Sequence, residues 1–156
     1  TGSIQVNKTD DETKQPIAGV TFRLSKKDGT IIGNATTNEN GIATFSGLYQ
    51  SDYILKEIST NTKYILNTIP FDIHVNYNGT ATKDITNEHK KGNLKIYKVD
   101  KDNHKITLGN VKFDLFSDEF QKVIGTYTTN VDGEIQIDNL RIRKLPINWT
   151  KYRKMV

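Results

Sequence analysis

Apolar and polar residues alternate in short runs along this chain. The stretch Tyr53-Ile54-Leu55-Lys56-Glu57 shows the pattern most clearly and predicts a β-strand with Tyr53 and Leu55 facing a core. The same period of two turns Glu57 inward. A carboxylate facing an apolar core is costly unless it is protonated or partnered. Two other strands end in the same way. In Ile4-Gln5-Val6-Asn7-Lys8, Lys8 shares a face with Ile4 and Val6; in Ile85-Thr86-Asn87, Asn87 shares a face with Ile85. A lysine, a glutamate and an asparagine thus take apolar positions in the first, a middle and the last strand of one unit. Their complementary chemistry suggests a site.

The full pattern predicts seven strands in this unit, at about 3–9, 19–25, 30–36, 41–46, 52–58, 70–76 and 81–87. Asp28-Gly29 and Asn40-Gly41 mark turns, and Asn78-Gly79 predicts a hairpin before the last strand. Asp10 to Ile17, with Pro16, reads as a loop. Seven short strands at this spacing predict a β-sandwich, and no amphipathic helix is evident.

The pattern then starts again. Gly2-Ser3-Ile4-Gln5-Val6-Asn7-Lys8-Thr9-Asp10 parallels Gly92-Asn93-Leu94-Lys95-Ile96-Tyr97-Lys98-Val99-Asp100. Gly19 to Leu24 parallels Gly109 to Leu115 with one residue inserted, Thr37 to Phe45 parallels Thr129 to Ile137, and Leu48 falls on Leu140. The expected division is a complete domain over 1–90 and a partial one over 91–156, joined at His89-Lys90-Lys91. After about residue 140 the second pattern is lost: the register carries Tyr53 to Leu145, Leu55 to Ile147 and Glu57 to Trp149. No sixth or seventh strand is read before Val156. Lys98 repeats Lys8 but has neither a Glu nor an Asn partner in its own unit. A sandwich without its last strands leaves sheet edges open, so the second unit is expected to be weakly ordered. Read one base later with A/T-rich codons, Leu145-Pro146-Ile147-Asn148 becomes Tyr-Gln-Leu-Ile, which suggests a frameshifted or truncated second domain.

Composition narrows the picture. The 156 residues are 35% hydrophobic and 26% charged, enough for one ordinary domain or two small ones. No apolar run has the length of a membrane span, and no signal peptide is read. The absence of Cys excludes disulfides and thiolate metal sites. The net charge of +4 belongs to the tail: Arg141, Arg143, Lys144, Lys151, Arg153 and Lys154 fall in the last stretch, and setting these six aside leaves −2. A solvated end explains them, and neither nucleic acid nor a membrane is expected as a partner of this fragment.

A wider set of residues now carries a family resemblance. Lys8-Thr9-Asp10, then Pro16-Ile17-Ala18-Gly19-Val20-Thr21-Phe22, Thr37, Asn40-Gly41, Leu48, Tyr53-Ile54-Leu55-Lys56-Glu57, Tyr64 and Thr86-Asn87 follow in order and spacing. This series resembles the Cna B-type (SpaA-like, prealbumin-like) domain of Gram-positive surface adhesins and pilins. It covers the first unit end to end and the second to about Leu140. One departure is Ser51-Asp52, where the family often has Gly before the tyrosine. The resemblance implies an all-β protein of tandem immunoglobulin-like β-sandwiches of reversed topology, the second incomplete. It implies a stalk or repeat module on the extracellular, cell-wall-associated surface of a Gram-positive bacterium, without a cofactor. Neighbouring domains of the same surface protein are the implied partners, with room for a host extracellular-matrix or cell-surface ligand. Finally, it implies an autocatalytic isopeptide bond between Lys8 and Asn87, with Glu57 as the proton shuttle.

Such a bond needs an amine nucleophile, an amide electrophile and a proton carrier. Burial disfavours charge and so favours the neutral forms of Lys8 and Glu57. Neutral Lys8 can attack the side-chain carbonyl carbon of Asn87, while Glu57 donates to the developing oxyanion and carries protons to the departing ammonia. The event happens once per molecule, so no enzyme is expected. By analogy with a disulfide of that loop length, closure would stabilise the unit by roughly 4–5 kcal/mol. The plain alternative is that Lys8 snorkels to solvent and meets Glu57 in an ordinary salt bridge. No cross-link is expected at Lys98.

Other features carry less. His74, His89 and His104 are isolated and read as surface histidines, not a metal set. Asp100-Lys101-Asp102-Asn103 lacks the Gly and distal Glu of a calcium loop and reads as a turn. Asn34-Ala35-Thr36 and Asn78-Gly79-Thr80 fit the glycosylation pattern. Leu145-Pro146 lacks the Thr-Gly of a sortase signal. A binding module acting through loops at a sandwich end is the second reading of function; an exposed aromatic cluster would favour it, but the only Trp is Trp149 in the anomalous tail. An enzyme using Glu57 would need a cleft and a second acid or base.

Overall fold

The structure, a computed structural model, describes residues 1–141 and the backbone of residues 150–154. The chain divides into two compact units, Thr1–His89 and Lys90–Val156. Among the described residues every regular element is a β-strand, as the alternation predicts.

The first unit has the seven predicted strands: β1 (Gly2–Asp10), β2 (Thr21–Lys26), β3 (Ile31–Thr36), β4 (Ile42–Leu48), β5 (Ser51–Ser59), β6 (Phe71–Val75) and β7 (Thr80–Asn87). They form two sheets, ordered β4-β1-β7 and β3-β2-β5-β6. The period of two is kept along β1, where Ile4, Val6, Lys8 and Asp10 are all buried and the residues between them only half-buried. Phe22 and Leu24 of β2, Tyr53 and Leu55 of β5, and Val75 of β6 meet this face from the other sheet to make the core. Alternation therefore sets the position of the site: Lys8 of β1, Glu57 of β5 and Asn87 of β7 all lie inside on the apolar parity of their strands.

Strand β7 pairs with β1 in parallel, from Ser3 opposite Thr80 to Asp10 opposite Asn87. Parallel neighbours need a long connection, and here the rest of the unit is that connection. The turns differ accordingly. Asp28-Gly29 closes a true hairpin between β2 and β3, with Gly29 at φ 90°. The hairpin expected at Asn78-Gly79 does not form. Asn78 adopts φ 53°, but the turn passes the chain from β6 in one sheet to β7 in the other. An Asn in the left-handed region reverses the chain without choosing its partner, and β6 already pairs with β5.

The second unit contains β8 (Lys91–Tyr97), β9 (Lys112–Ser117), β10 (Lys122–Thr128), β11 (Glu134–Arg141) and β12 (Thr150–Lys154). Its sheets, β11-β8 and β10-β9-β12, repeat β4-β1 and β3-β2-β5. Among the described residues its fully buried core is smaller: Phe113, Leu115, Ile135 and Ile137. Strand β8 carries the same alternation as β1 but remains half-exposed on its apolar face. The expected fifth-strand positions Leu145, Ile147 and Trp149 lie outside the described residues. Pairing instead places Tyr152 opposite Leu115 and Lys154 opposite Phe113, where the first unit has Leu55 opposite Leu24 and Glu57 opposite Phe22. In backbone register, Lys154 therefore takes the place of Glu57. The basic tail also needs correction. Arg141 is buried and bonded to Glu119, with Nη2 to Oε1 at 3.2 Å, and Lys151, Arg153 and Lys154 belong to a strand rather than a loose end. Arg143 and Lys144 lie outside the described residues.

Candidate functional site

Lys8, Glu57 and Asn87 meet in the core of the first unit. Lys8 and Asn87 come from neighbouring strands of one sheet, and Glu57 comes from the facing sheet. All three are almost fully buried, and the side chains of Lys8 and Glu57 have no exposed surface. The snorkelling alternative is thus corrected: Lys8 is fully buried, and its Nζ lies 5.8 Å from the centre of the Phe22 ring.

The three side chains form a closed circuit. Lys8 Nζ donates to Asn87 Oδ1 at 2.6 Å. Asn87 Nδ2 donates to Glu57 Oε1 at 2.6 Å. Glu57 Oε2 lies 2.8 Å from Lys8 Nζ as an ion-pair contact and accepts no hydrogen bond of good geometry. With Lys8 as an ammonium and Glu57 as a carboxylate, only this orientation of the carboxamide matches donors to acceptors. Burial lowers the pKa of Lys8 below the ordinary lysine value, while the close contact and charge of Glu57 oppose that shift. One carboxyl group therefore touches both nitrogens, the amine that could attack and the amide nitrogen that could leave.

The segment between β5 and β6 closes over this circuit. Asn87 Nδ2 also donates to Thr60 Oγ1 at 3.2 Å. The backbone N–H of Asn67 donates to Glu57 Oε1 at 3.3 Å, and its side chain donates to the Thr86 carbonyl at 3.4 Å. Beside Asn87, the buried Asp10 accepts the Tyr64 hydroxyl at 2.9 Å and the backbone N–H groups of Glu12 and Thr13. The Tyr64 ring meets His89 edge-on at 5.0 Å. His89 is buried, contrary to the surface reading, because it packs where the last strand leaves the unit. His74 is exposed and pairs with Asp52 at 2.7 Å; His104 is exposed. Neither Thr60 nor Asn67 was visible in the pattern. Thr60 follows the end of β5 and breaks the parity of Glu57, and Asn67 acts partly through its backbone.

Backbone geometry repeats around Lys98. Its N–H donates to the Gly133 carbonyl at 2.7 Å and its carbonyl accepts from Leu108 at 2.9 Å, as Lys8 does with Gly41 and Ile17 at 2.7 and 3.0 Å. The side chain differs: among the described residues, no hydrogen-bond or ion-pair partner of its Nζ is found. Asp100 is held in a turn by the backbone N–H groups of Asp102 and Asn103, both at 2.9 Å, and these bonds lower its pKa. Trp149 lies outside the described residues. The exposed aromatics of the first unit include Tyr49 and Tyr77, on adjacent loops at the end where β1 begins.

Comparison with known proteins gives a consistent result. The model of the SpaA family, a prealbumin-like fold domain, matches residues 2–89 and again 92–148. A collagen adhesin of Staphylococcus aureus is 45% identical over 69 residues, covering 40% of this chain and 6% of its own length. Serine-aspartate repeat-containing protein F of Staphylococcus epidermidis is 31% identical over 153 residues, covering 83% of this chain and 9% of its own. The chain thus spans less than a tenth of either relative. Among solved structures, the Bacillus anthracis TIE protein aligns over 99% of this chain and 28% of its own, with TM-score 0.72 and 28% identity. Prealbumin-like domains of this kind are structural modules rather than enzymes. On this fold and these matches, the chain belongs to the SpaA family of prealbumin-like domains, in two successive copies.

Proposed function

We propose that the first unit is a tension-bearing stalk module of a Gram-positive surface adhesin or pilin, locked by an isopeptide bond between Lys8 and Asn87. The contact of one Glu57 carboxyl group with both nitrogens carries this reading. Neutral Lys8 Nζ attacks Asn87 Cγ, and the N–Cγ bond forms as the carbonyl becomes an oxyanion. Glu57 takes a proton from the attacking nitrogen through Oε2 and delivers one to Nδ2 through Oε1. The Cγ–Nδ2 bond then breaks and one ammonia leaves. Overall, an amine and a primary amide become a secondary amide and ammonia, and Glu57 ends in the state in which it began.

Tension entering at Gly2 and leaving after Asn87 would then run along β1, across the new amide and out, bypassing the strands between. The partners of such a module are the neighbouring domains of its own surface protein, and its location is the cell wall. The intact mass of the purified chain tests the reading. One ammonia less than the sequence mass is expected, with the full mass restored by Lys8→Ala or Glu57→Gln. A wild-type chain of full mass would reduce the three residues to a polar core cluster.

A further inference from the structure

Resting on that reading, we propose that Thr60 is a fourth member of the reaction site, holding the leaving nitrogen of Asn87. The Asn87 Nδ2 atom carries two N–H bonds. One is directed to Glu57 Oε1 at 2.6 Å and the other to Thr60 Oγ1 at 3.2 Å. With Oδ1 held by Lys8 Nζ at 2.6 Å, all three polar positions of the carboxamide are occupied, and its plane is fixed by three different side chains. Glu57 and Lys8 alone could hold one edge of the amide; Thr60 fixes the other.

The chemistry calls for a hydroxyl here. In the amide the nitrogen lone pair is delocalised, so Nδ2 only donates. Once Cγ becomes tetrahedral, the nitrogen is an amine with two N–H bonds and a free lone pair. That lone pair takes the proton Glu57 brings, while Thr60 Oγ1 still accepts a remaining N–H. A threonine hydroxyl can also donate, so the contact survives as the nitrogen changes from amide to ammonia. Thr60 is half-buried, whereas Lys8, Glu57 and Asn87 are buried. It therefore marks the side on which the released ammonia departs. No bond to Thr60 forms or breaks; its part is to orient the leaving group.

Full-length chain collected unfolded in denaturant, before reaction, and folded by dilution gives the rate of ammonia loss by intact mass at timed acid quenches. Thr60→Val, which keeps the shape and removes the hydroxyl, should slow the loss about tenfold, because the bond from Nδ2 to Thr60 Oγ1 becomes charge-assisted and stronger as the leaving nitrogen gains its proton. Thr60→Ser should restore the rate to within about twofold of wild type, within the context-dependent spread of a single hydrogen bond. In the unreactive Glu57→Gln background, Thr60→Val should lower the denaturation midpoint modestly, by the loss of the one bond to Asn87 Nδ2, and leave the unit folded, so that the slower reaction is read in a folded chain. Reaction of Thr60→Val at the wild-type rate would overturn the assignment, as would slowing that Thr60→Ser does not restore. In either case the wild-type chain would still lose one ammonia. Failure of the wild-type chain to lose any would instead remove the cross-link reading itself, and this assignment with it.

Discussion

Lys8 is the residue on which the proposed chemistry turns. Its pKa is lowered by burial against the opposing pull of Glu57, so the nucleophilic amine becomes available at a lower pH than an exposed lysine would allow. Timed intact mass should show the rate of bond formation rising with pH and levelling off below the ordinary lysine value of 10.5. The same shift affects stability when no bond can form. In Asn87→Ala, folded Lys8 releases its proton at a lower pH than unfolded Lys8. Between the two pKa values the unfolded chain binds more protons, and stability rises with pH across that window. Below the lowered pKa, the cost of the buried ammonium is present in full. Urea denaturation of Asn87→Ala against Lys8→Met/Asn87→Ala should isolate this slope, and a parallel pH dependence in the two variants would contradict it. At this scale the sequence is informative because a strand has only two faces: parity alone brings Lys8, Glu57 and Asn87 inward. Parity is silent about Thr60 and Asn67, which lie beyond the end of β5, where no period applies.

Elements explain why Lys8 is held so firmly. Gly41, at φ 72°, backs directly onto the Lys8 carbonyl, and a Cβ there would clash with that oxygen. Its own carbonyl accepts the Lys8 N–H at 2.7 Å. Gly41→Ala should therefore cost roughly 2 kcal/mol, from the left-handed backbone alone, and should slow bond formation by moving β1. Chemical denaturation and timed intact mass would check the two effects, and a neutral result would contradict this account of the turn. Gly133 makes the same approach to Lys98, so the backbone of the device is copied where the side-chain partners are not. Repeats and turns made this copying readable from the sequence, because Thr37 to Gly41 and Thr129 to Gly133 match. The partner of each strand was less readable. The Asn78-Gly79 turn gives no sign of which sheet receives β7, and the fifth strand of the second unit lies later than a gapless register allows, because five further residues precede it.

The molecule as a whole carries two cores of unequal depth. The first unit buries an apolar set drawn from β1, β2, β4, β5, β6 and β7, whereas the second has four fully buried residues among those described. Two unfolding transitions are expected in guanidinium, with the second unit unfolding first. Glu57→Gln should move only the later transition, lowering the stability of the first unit by roughly 4–5 kcal/mol through loss of the closed loop. A single transition, or a shift in both, would contradict independent units.

The parallel pairing of β1 with β7 has a consequence for timing. Lys8 and Asn87 are 79 positions apart, and β7 is the last strand of its unit. If they join as proposed, the bond cannot form until the whole unit has emerged and folded. Until then the chain is a linear thread, narrow enough for a pore that admits one extended strand. Afterwards residues 8 to 87 form a closed ring, and two lengths of backbone must pass any constriction together even when every strand is unravelled. Export becomes a one-way passage: a pore or unfolding protease that threads a single chain can pass the precursor but not the finished module.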